Sequence, residues 1–381
     1  MTEKALRIAL VAGETSGDLL GGLLLDGLKA RWPNAQFFGI GGPQMAKRGM
    51  QAWWPSEKLA VRGYIEVLRH YREIVGIRDE IKSRLLSDKP DLFIGIDAPD
   101  FNMDLERDLK SAGIKTVHFV SPSIWAWRPE RIEKIRSAVD HVLCIFPFEK
   151  KIYDEAGIAA SYVGHPLADV IPMQPARAAA RALLGLKDED TVVALLPGSR
   201  ADEVKYLISR LFGAVVGMEY ARSAIKFIVP CVPTLMPAIE RAARKAAVLD
   251  RVQLVQGQSH AVLAACNVAI VASGTATLEA ALFKRPMVIA YNMNWISWQI
   301  MRRKKIQPWV GLPNILCGEF VVPELLQGDC TPQALAEAAQ TWLQSPEKIR
   351  ALEQRFTALH TDLQRNTPEL AADAIAQVLT R

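Results

Sequence analysis

The chain has 381 residues, of which 50% are apolar and 23% are charged, with 46 Lys and Arg against 41 Asp and Glu. This length predicts two or three domains whose cores need neither disulfides nor a structural metal. The net charge of +5 is too small for a dedicated nucleic-acid-binding protein. The five cysteines form no C-x-x-C pair and no uncharged run is apolar enough to cross a membrane. We therefore expect a cytosolic protein, soluble or peripheral, without a metal site.

Short β-branched apolar runs alternate with longer helical patterns along the whole chain. Buried parallel strands separated by helices have this pattern, which is typical of doubly wound α/β domains. Domains of this kind bind ligands at the carboxyl ends of their strands. The predicted strands are Arg7–Ala12, Gln36–Ile40, Asp91–Ile96, Thr116–Val120 and His141–Ile145 in a first half, and Thr191–Leu196, Lys226–Val229, Val252–Val255, Val268–Ala272 and Pro286–Tyr291 in a second half.

Each half begins with a strand, a glycine loop and a predicted helix. In both loops a hydroxyl residue is followed by an acid three residues later, Thr15 by Asp18 and Ser199 by Asp202. This spacing predicts a capping box, in which two side chains satisfy amide groups at the start of a helix. The repeated pattern predicts two Rossmann-like domains facing across a cleft.

The predicted domain boundary falls at Gly164–Pro166, ahead of a second group of prolines. We predict an N-terminal domain over residues 1–165, a C-terminal domain over residues 166–330 and a helical tail over residues 331–381. The tail has a helical pattern throughout, so we expect it to pack across the domains or onto a partner.

Two loops of the second half carry residues suited to a nucleotide. Pro197–Arg200 places free backbone N–H groups and a guanidinium at a helix N-terminus, which favours phosphate; a helix cap with a surface arginine is the alternative. In Ala272–Glu279, small residues let the backbone approach a ligand, and Glu279 suits ribose hydroxyls unless it is a solvent-facing carboxylate. Because neither G-x-G-x-x-G nor a Walker A lysine motif is present, we expect a mononucleotide diphosphate.

Two acidic residues follow a buried strand of the first half. Asp97 and Asp100 come directly after the predicted strand Asp91–Ile96, so we expect them at the sheet edge where ligands bind. A carboxylate there is placed to deprotonate a hydroxyl as a general base. The alternative is an aspartate that caps the next helix, and Asp100 fits that interpretation better.

With these motifs the chain resembles the lipid-A-disaccharide synthases, which are inverting glycosyltransferases of the two-domain GT-B fold. The resemblance covers essentially the whole chain. Each of its stretches alone is weak, whereas six in the family's order are specific. They are Val11–Asp18, Gly95–Asn102, Val120–Arg128, Leu196–Arg200, Ala272–Glu279 and Leu312–Asn314.

The resemblance implies a reaction and a location. The 2,3-diacylglucosamine unit of UDP-diacylglucosamine passes to 2,3-diacylglucosamine 1-phosphate, which gives a β-1,6-linked disaccharide and UDP in lipid A and lipopolysaccharide biosynthesis. No cofactor is implied. The implied location is cytoplasmic, peripheral on the inner face of the inner membrane, and relatives suggest a homodimer.

The resemblance also implies roles for individual residues. Asp97 is implied as the base for the acceptor hydroxyl. A direct displacement further needs a stabilised leaving group, which suits Arg200 and helix N-termini. The residues implied at the nucleotide sugar are Gly198, Ser199, Arg200, Ser273, Gly274, Thr275, Glu279 and Asn314, and those implied on the acceptor side are Glu14, Ser16 and Asn102.

Two segments combine apolar or aromatic residues with cations, as interfacial membrane anchors do. In residues 64–86 the alternative is an ordinary core helix, and in residues 295–309 it is a solvated loop around Arg302–Lys305. The stripe in the first segment consists of Val67, Leu68, Tyr71, Ile74, Val75 and Ile81, flanked by Arg62, Arg69, Arg72, Arg78, Lys82 and Arg84. Salt-sensitive binding to an anionic membrane surface is the expectation.

Two other functions stay open from the sequence. A UDP-sugar 2-epimerase of similar two-domain build needs only the nucleotide sugar and no lipid surface. A membrane-docked nucleotide-sugar-binding protein without turnover is the second alternative. Asp97 argues against the binding protein, because binding alone requires no base at a strand end.

Overall fold

A computed structural model describes residues 5–59, 64–221, 225–304 and 306–380. It contains two compact units, of which the first comprises residues 1–169 with 362–381 and the second comprises residues 170–361. The first unit thus runs to Asp169 where the sequence suggested 165, and the residues of the predicted tail are divided between the two units.

The first unit is built on a seven-stranded parallel sheet. Its strands in chain order are β1 (Arg7–Ala12), β2 (Gln36–Gly41), β3 (Gln51–Pro55), β4 (Leu92–Ile96), β5 (Lys115–Phe119), β6 (His141–Cys144) and β7 (Ala160–Tyr162). They lie side by side in the order β3-β2-β1-β4-β5-β6-β7. The central strands β1 and β4 are buried almost throughout, as expected when helices cover both faces of a sheet.

The second unit is built on a six-stranded parallel sheet. Its strands are β8 (Thr191–Leu196), β9 (Ile225–Cys231), β10 (Val252–Gln256), β11 (Val268–Ala272), β12 (Met287–Tyr291) and β13 (Glu324–Leu326). Their order is β10-β9-β8-β11-β12-β13, so the chain reverses direction across the sheet between β8 and β11. Ligands of doubly wound sheets bind at such a reversal.

Helices cover both sheets. In chain order they are α1 (Thr15–Arg31), α2 (Pro43–Lys47), α3 (Tyr64–Asp88), α4 (Pro99–Ser111), α5 (Ile132–Ala138), α6 (Glu149–Glu155), α7 (Pro166–Val170), α8 (Arg177–Leu183), α9 (Ala201–Ala221), α10 (Met236–Lys245), α11 (Ser259–Ala265), α12 (Thr275–Leu282), α13 (Trp295–Lys304), α14 (Leu312–Cys317), α15 (Pro332–Leu343), α16 (Pro346–Leu363) and α17 (Thr367–Thr380). Among the helices of the described ranges, none has both the length and the apolarity to span a bilayer.

The last helix completes the first unit. α17 packs so closely on α1 that a Cβ atom at Gly27 would overlap the carbonyl group of Pro368. Arg31 of α1 pairs with Asp373 of α17 at 2.8 Å. Glycine in α1 therefore allows the backbones of these two helices to touch.

The segment with the predicted apolar stripe is a core helix in its second half. Ile77, Ile81 and Leu85 of α3 are buried in the core of the first unit at helical spacing. Arg78 pairs with Asp104 of α4 at 3.3 Å. The membrane-anchor interpretation is therefore wrong for this half. Arg62 and the side chains of residues 64–71 lie outside the described part of the chain.

The first predicted capping box is displaced by one residue. α1 begins at Thr15 with Glu14 as its N-cap, so Asp18 lies too deep in the helix to cap it. The buried Asp18 carboxylate instead stabilises the start of α2, where unpaired amides need acceptors. It accepts from the amides of Gly42 at 2.8 Å, Gln44 at 2.9 Å and Met45 at 3.0 Å.

Candidate functional site

Asp97 lies in a strained turn at the carboxyl end of β4. Asp97 and Ala98 both adopt left-handed backbone, with φ of 49° and 44°. Residues other than glycine hold such conformations at a cost of about 1–3 kcal/mol each. The Asp97 amide donates to the carbonyl oxygen of Phe119 at 2.9 Å, which ties the turn to the end of β5. The turn thus fixes one half-buried acidic residue at the edge of the sheet.

Asn102 supports this turn from inside the unit. Its side chain is fully buried. The Nδ2 group donates to the carbonyl oxygens of Asp97 at 2.8 Å and Val11 at 3.3 Å, which joins the ends of β4 and β1. The resemblance implied a place near the acceptor side for Asn102. Its buried side chain supports the turn that carries Asp97 from beneath.

Glu14 and Ser16 lie beside the same turn, because β1 and β4 are neighbouring strands. Both are half-buried at the start of α1. The two strand ends approach closely, since a Cβ atom at Gly13 would lie 2.8 Å from the Cβ atom of Ala98. The first unit therefore brings Glu14, Ser16 and Asp97 to one edge of its sheet.

Asp100 has a different setting from Asp97. It lies in the first turn of α4, and its side chain is 77% exposed and paired with Arg131. Acidic residues in the first turn of a helix are stabilised by the helix dipole. Asp100 thus lies at the start of the helix, but the N-cap residue of α4 is Ala98 and no side chain caps it, so the capping interpretation of Asp100 is wrong.

In the second unit, the loop between β8 and α9 already holds a carboxylate. Glu203 Oε2 accepts from the amides of Ser199 at 2.9 Å and Arg200 at 3.3 Å, and Oε1 accepts from the Arg200 guanidinium at 2.6 Å. Because α9 begins at Ala201, Glu203 reaches back to the N-cap where Asp202 was predicted to do so. The prediction of free amides is therefore wrong, and a carboxylate occupies the position expected for an anion.

The second predicted loop opens α12. Gly274 is its exposed N-cap residue, and the Thr277 hydroxyl donates to the Gly274 carbonyl at 2.8 Å. Glu279 lies one turn further on, with its carboxylate 3.4 Å from Nε2 of His260. Its side chain is only 15% exposed, so the interpretation as a solvent-facing carboxylate is wrong. The sequence pattern gave no reason to single out His260.

These two loops lie at one edge of the second sheet. β8 and β11 are neighbouring strands, and Leu196 at the end of β8 pairs with Val271. Backbone amides and small side chains at adjacent strand ends suit an anionic ligand. The residues brought together there are Gly198, Ser199, Arg200, Ser273, Gly274, Thr275 and Glu279.

Asn314 departs from its implied role. Its buried amide donates to the Val322 carbonyl at 2.9 Å and to Glu324 Oε1 at 2.9 Å, and its Oδ1 accepts from the amides of Val321 and Val322. An amide side chain has two donor hydrogens and two acceptor sites, so the protein uses all four. The side chain of Asn314 is thus an anchor between α14 and β13, and its place at the nucleotide stays a prediction.

A buried carboxylate that the sequence did not single out organises another loop of the first unit. Glu149 accepts from the amides of Ile145 at 3.1 Å and Phe146 at 3.0 Å, and from the Trp125 indole at 3.0 Å. Burial raises the pKa of Glu149 to about 7, against the opposing effect of these hydrogen bonds. The signal in the sequence was an acid directly after the aromatic run that follows a predicted strand.

Comparison with known sequences finds one family along nearly the whole chain. The family model described as lipid-A-disaccharide synthetase matches residues 8–375. The lipid-A-disaccharide synthase of Albidiferax ferrireducens is 66% identical over 379 residues, which cover 98% of this chain and 97% of that protein.

Comparison with solved structures finds the same fold at low sequence identity. The UDP-GlcNAc 2-epimerase of Neisseria meningitidis bound to UDP-GlcNAc has a TM-score of 0.65 at 10% identity, covering 98% of this chain and 100% of that chain. The glycotransferase of kitacinnamycin has a TM-score of 0.64 at 16% identity, covering 99% and 100%. At such identities the likeness shows the fold alone, so it does not favour the epimerase alternative.

Proposed function

The chain belongs to the lipid-A-disaccharide synthase family and is a glycosyltransferase, and on that basis we propose how its two units divide the reaction. The proposed donor is UDP-2,3-diacylglucosamine, and the proposed acceptor is 2,3-diacylglucosamine 1-phosphate. The products are then the β-1,6-linked disaccharide 1-phosphate and UDP. We assign the acceptor to the first unit and the nucleotide of the donor to the second.

Asp97 is the proposed base. The acceptor hydroxyl oxygen forms a bond to the anomeric carbon of the donor while the bond from that carbon to the diphosphate breaks. Asp97 takes the hydroxyl proton, and UDP leaves with the bonding electrons. An inverting displacement needs one base and one stabilised leaving group. The observation that carries the assignment is the pair of left-handed residues at Asp97 and Ala98, because strain of this kind clusters at functional sites.

Arg200 and the amides beside it are the proposed donors to the diphosphate. The Glu203 carboxylate shows that these groups accept an anion with short hydrogen bonds. A diphosphate offers the same kind of oxygen with more charge, so it replaces Glu203 when the donor binds. Preorganised donors then stabilise the charge that develops on departing UDP. Glu279 is assigned to the ribose hydroxyls.

The test of this function measures UDP release and product. The protein is first incubated with UDP-diacylglucosamine alone, and diacylglucosamine 1-phosphate is then added. We expect UDP release only with both substrates, together with a disaccharide identified by mass spectrometry. An isomerised nucleotide sugar without acceptor would support the epimerase, and binding without turnover would support a binding protein.

We also propose that the second unit contacts an anionic membrane through α13. Trp295 is 70% exposed and Ile306 is 54% exposed. Residues 295–304 form a helix, so the loop interpretation is wrong for that part of the segment. Aromatic and basic residues together are the composition of an interfacial anchor. The exposed cations at the end of the helix are Arg302, Arg303 and Lys304, while Lys305 lies outside the described residues.

Sedimentation with anionic liposomes tests this contact. Each basic residue near an anionic surface contributes about 1 kcal/mol, and salt screens the attraction. We expect salt-sensitive binding that weakens in the variant Arg302→Ser, Arg303→Ser, Lys304→Ser. The control variant Arg241→Ser, Arg244→Ser, Lys245→Ser makes the same charge change on α10. Equal effects of the two variants would argue for a general charge effect, and no binding by the unmodified protein would refute the contact.

A further inference from the structure

We propose that Arg128, supported by Trp127, binds the phosphate group of the sugar acceptor. This inference rests on the proposed function, in which the acceptor is a sugar phosphate. Both residues belong to Val120–Arg128, a stretch that carries the resemblance but has no assigned role. The stretch follows β5, whose neighbour β4 ends at Ile96, directly before Asp97.

The loop that carries Arg128 is fixed from inside the unit. The Trp125 indole donates to Glu149 at 3.0 Å, and its ring meets Phe148 edge-on with centroids 5.2 Å apart. At the start of the loop, the hydroxyls of Ser121 and Tyr153 are 2.7 Å apart. A loop ordered in this way presents its outer residues with little further loss of entropy on binding.

On the outer side of the loop, two guanidinium groups lie over the ring of Trp127. Trp127 is 37% exposed, and the guanidinium carbon of Arg128 lies 4.3 Å from its ring centroid. The guanidinium of Arg131 lies 5.5 Å from the same ring. Stacking uses the face of a guanidinium and directs its N–H groups outward at the edge, in the fork geometry that matches phosphate oxygens.

Charge pairing distinguishes Arg128 from the cations around it. The structure shows no ion pair between the half-buried Arg128 and any carboxylate of the described residues. A partly shielded cation without a counter-ion among these residues is available to pair with an anion from outside. The neighbouring cations do have partners, Arg131 with Asp100, Lys134 with Asp104 and Arg136 with Glu133.

The position of Arg128 suits the acceptor more than the donor. The ion pair of Arg131 with Asp100 joins this loop to the first turn of α4, directly after Asp97. Arg128 and the proposed base therefore lie at the same edge of the same unit. A phosphate monoester carries about 1.5 to 2 negative charges at neutral pH and three acceptor oxygens. Such a group, borne by the acceptor, would pair with Arg128 while the hydroxyl meets Asp97.

The test compares acceptors with and without the phosphate. Kinetics of Arg128→Gln and Arg128→Ala are measured with diacylglucosamine 1-phosphate and with diacylglucosamine. We expect the KM for the phosphorylated acceptor to rise about 10- to 100-fold, as for loss of a charge-assisted hydrogen bond. The KM for the unphosphorylated acceptor and the affinity for UDP should not change. The Gln variant keeps most of the side-chain stem, so it guards against misfolding of the Ala variant.

Arg136→Ala is the matched control, because Arg136 is a nearby cation that already has a partner. An equal rise in KM for both acceptors in the Arg128 variants would overturn the phosphate assignment and leave the proposed function intact. Loss of liposome sedimentation in these variants with unchanged acceptor KM would also overturn it and point to a lipid headgroup. No acceptor-dependent UDP release by the unmodified protein would overturn the proposed function, and this inference with it.

Discussion

The turn after β4 in the first unit and the loop after β8 in the second hold a proposed reactive group in different ways. The turn holds Asp97 through strained backbone, with Asn102 bonded beneath it. The loop leaves its backbone relaxed and pairs Arg200 with Glu203 of the next helix. Strain fixes a group permanently, whereas an ion pair is exchangeable. The first arrangement suits a base that acts in place, and the second suits a charge that changes partner when a ligand binds.

The largest expected effect comes from removing the fixed carboxylate. Asp97→Asn keeps the shape of the side chain and abolishes its basicity, so turnover should fall about 10²- to 10⁴-fold. UDP affinity should stay constant, because the nucleotide is assigned to the other unit. Steady-state kinetics and UDP titration measure both. If turnover stayed close to that of the unmodified protein, Asp97 would not be the base, and the comparison between the turn and the loop would fail.

Removing the exchangeable cation should affect binding and chemistry together. Arg200→Ala should lower kcat about 10²- to 10³-fold, as loss of one transition-state donor does elsewhere. UDP binding should weaken as well. Arg200→Lys should recover only part of the activity, because an ammonium group cannot form a bidentate pair. Complete recovery with Lys would show that charge alone matters at this position.

Glu149 extends the comparison to a third loop, where a buried carboxyl group accepts hydrogen bonds from the loop. Its pKa is raised to about 7 in the folded protein, against an ordinary value of 4.5. The folded state therefore binds more protons than the unfolded state between these pH values. Its contribution to stability, on the order of 1–3 kcal/mol, is present below about pH 4.5 and lost as the pH rises through about 7.

Urea denaturation between pH 5 and 8 tests this contribution. Glu149→Gln should be less stable, because an amide nitrogen would face backbone donors. The decline of stability with rising pH should be smaller in this variant. An unchanged slope would show that Glu149 does not titrate in this range.

The strain itself can be relieved. Ala98→Gly should raise the free energy of unfolding by up to about 1 kcal/mol, because glycine adopts left-handed backbone without penalty. Gly13→Ala should destabilise the protein, since its Cβ atom would lie 2.8 Å from that of Ala98. The double variant should recover part of the loss. Strictly additive effects in thermal unfolding would contradict this coupling.

The smallest effect is expected at the partner of Arg200. Glu203→Gln removes the carboxylate that competes with the diphosphate. Ion pairs near the protein surface contribute about 0–1 kcal/mol, and this pair is partly buried, so UDP should bind up to about fivefold more tightly. Calorimetric titration measures this, with Asp202→Asn as a control on the adjacent residue. Weaker binding in Glu203→Gln would show that Glu203 supports the loop and does not compete with the ligand.

Of the ten strands that the sequence predicted, nine lie inside the sheets and one, β10, is an edge strand. β3, β7 and β13 were missed, and all three lie at sheet edges. Their residues are largely exposed or half-buried, so they lack the continuous apolar run that identifies a buried strand. An edge strand is identified by its pairing with one neighbouring strand, and that pairing cannot be read from the local sequence.

The site residues show a similar limit. Glycine loops and an acid after a buried strand were visible, because their positions follow from strand ends. Sequence spacing did not reveal that the buried side chains of Asn102 and Asn314 form hydrogen bonds within the protein. Nor did the spacing favour Glu203 over Asp202. A shift of one residue in the position where α9 begins decides which of the two carboxylates reaches the N-cap amide. The sequence predicted which residues lie at the carboxyl ends of the strands, but it did not predict the direction of each side chain.

The contact of α17 with α1 has a consequence for synthesis on the ribosome. α1 is made before the second unit, but the helix that covers it, residues 367–380, is made after that unit. By then residues 170–361 of the second unit have all been made. Of the two units, the one that is begun first is therefore finished last. A nascent chain that stops before α17 would hold a complete second unit and an unfinished first unit, so such products should be inactive and exposed to proteases.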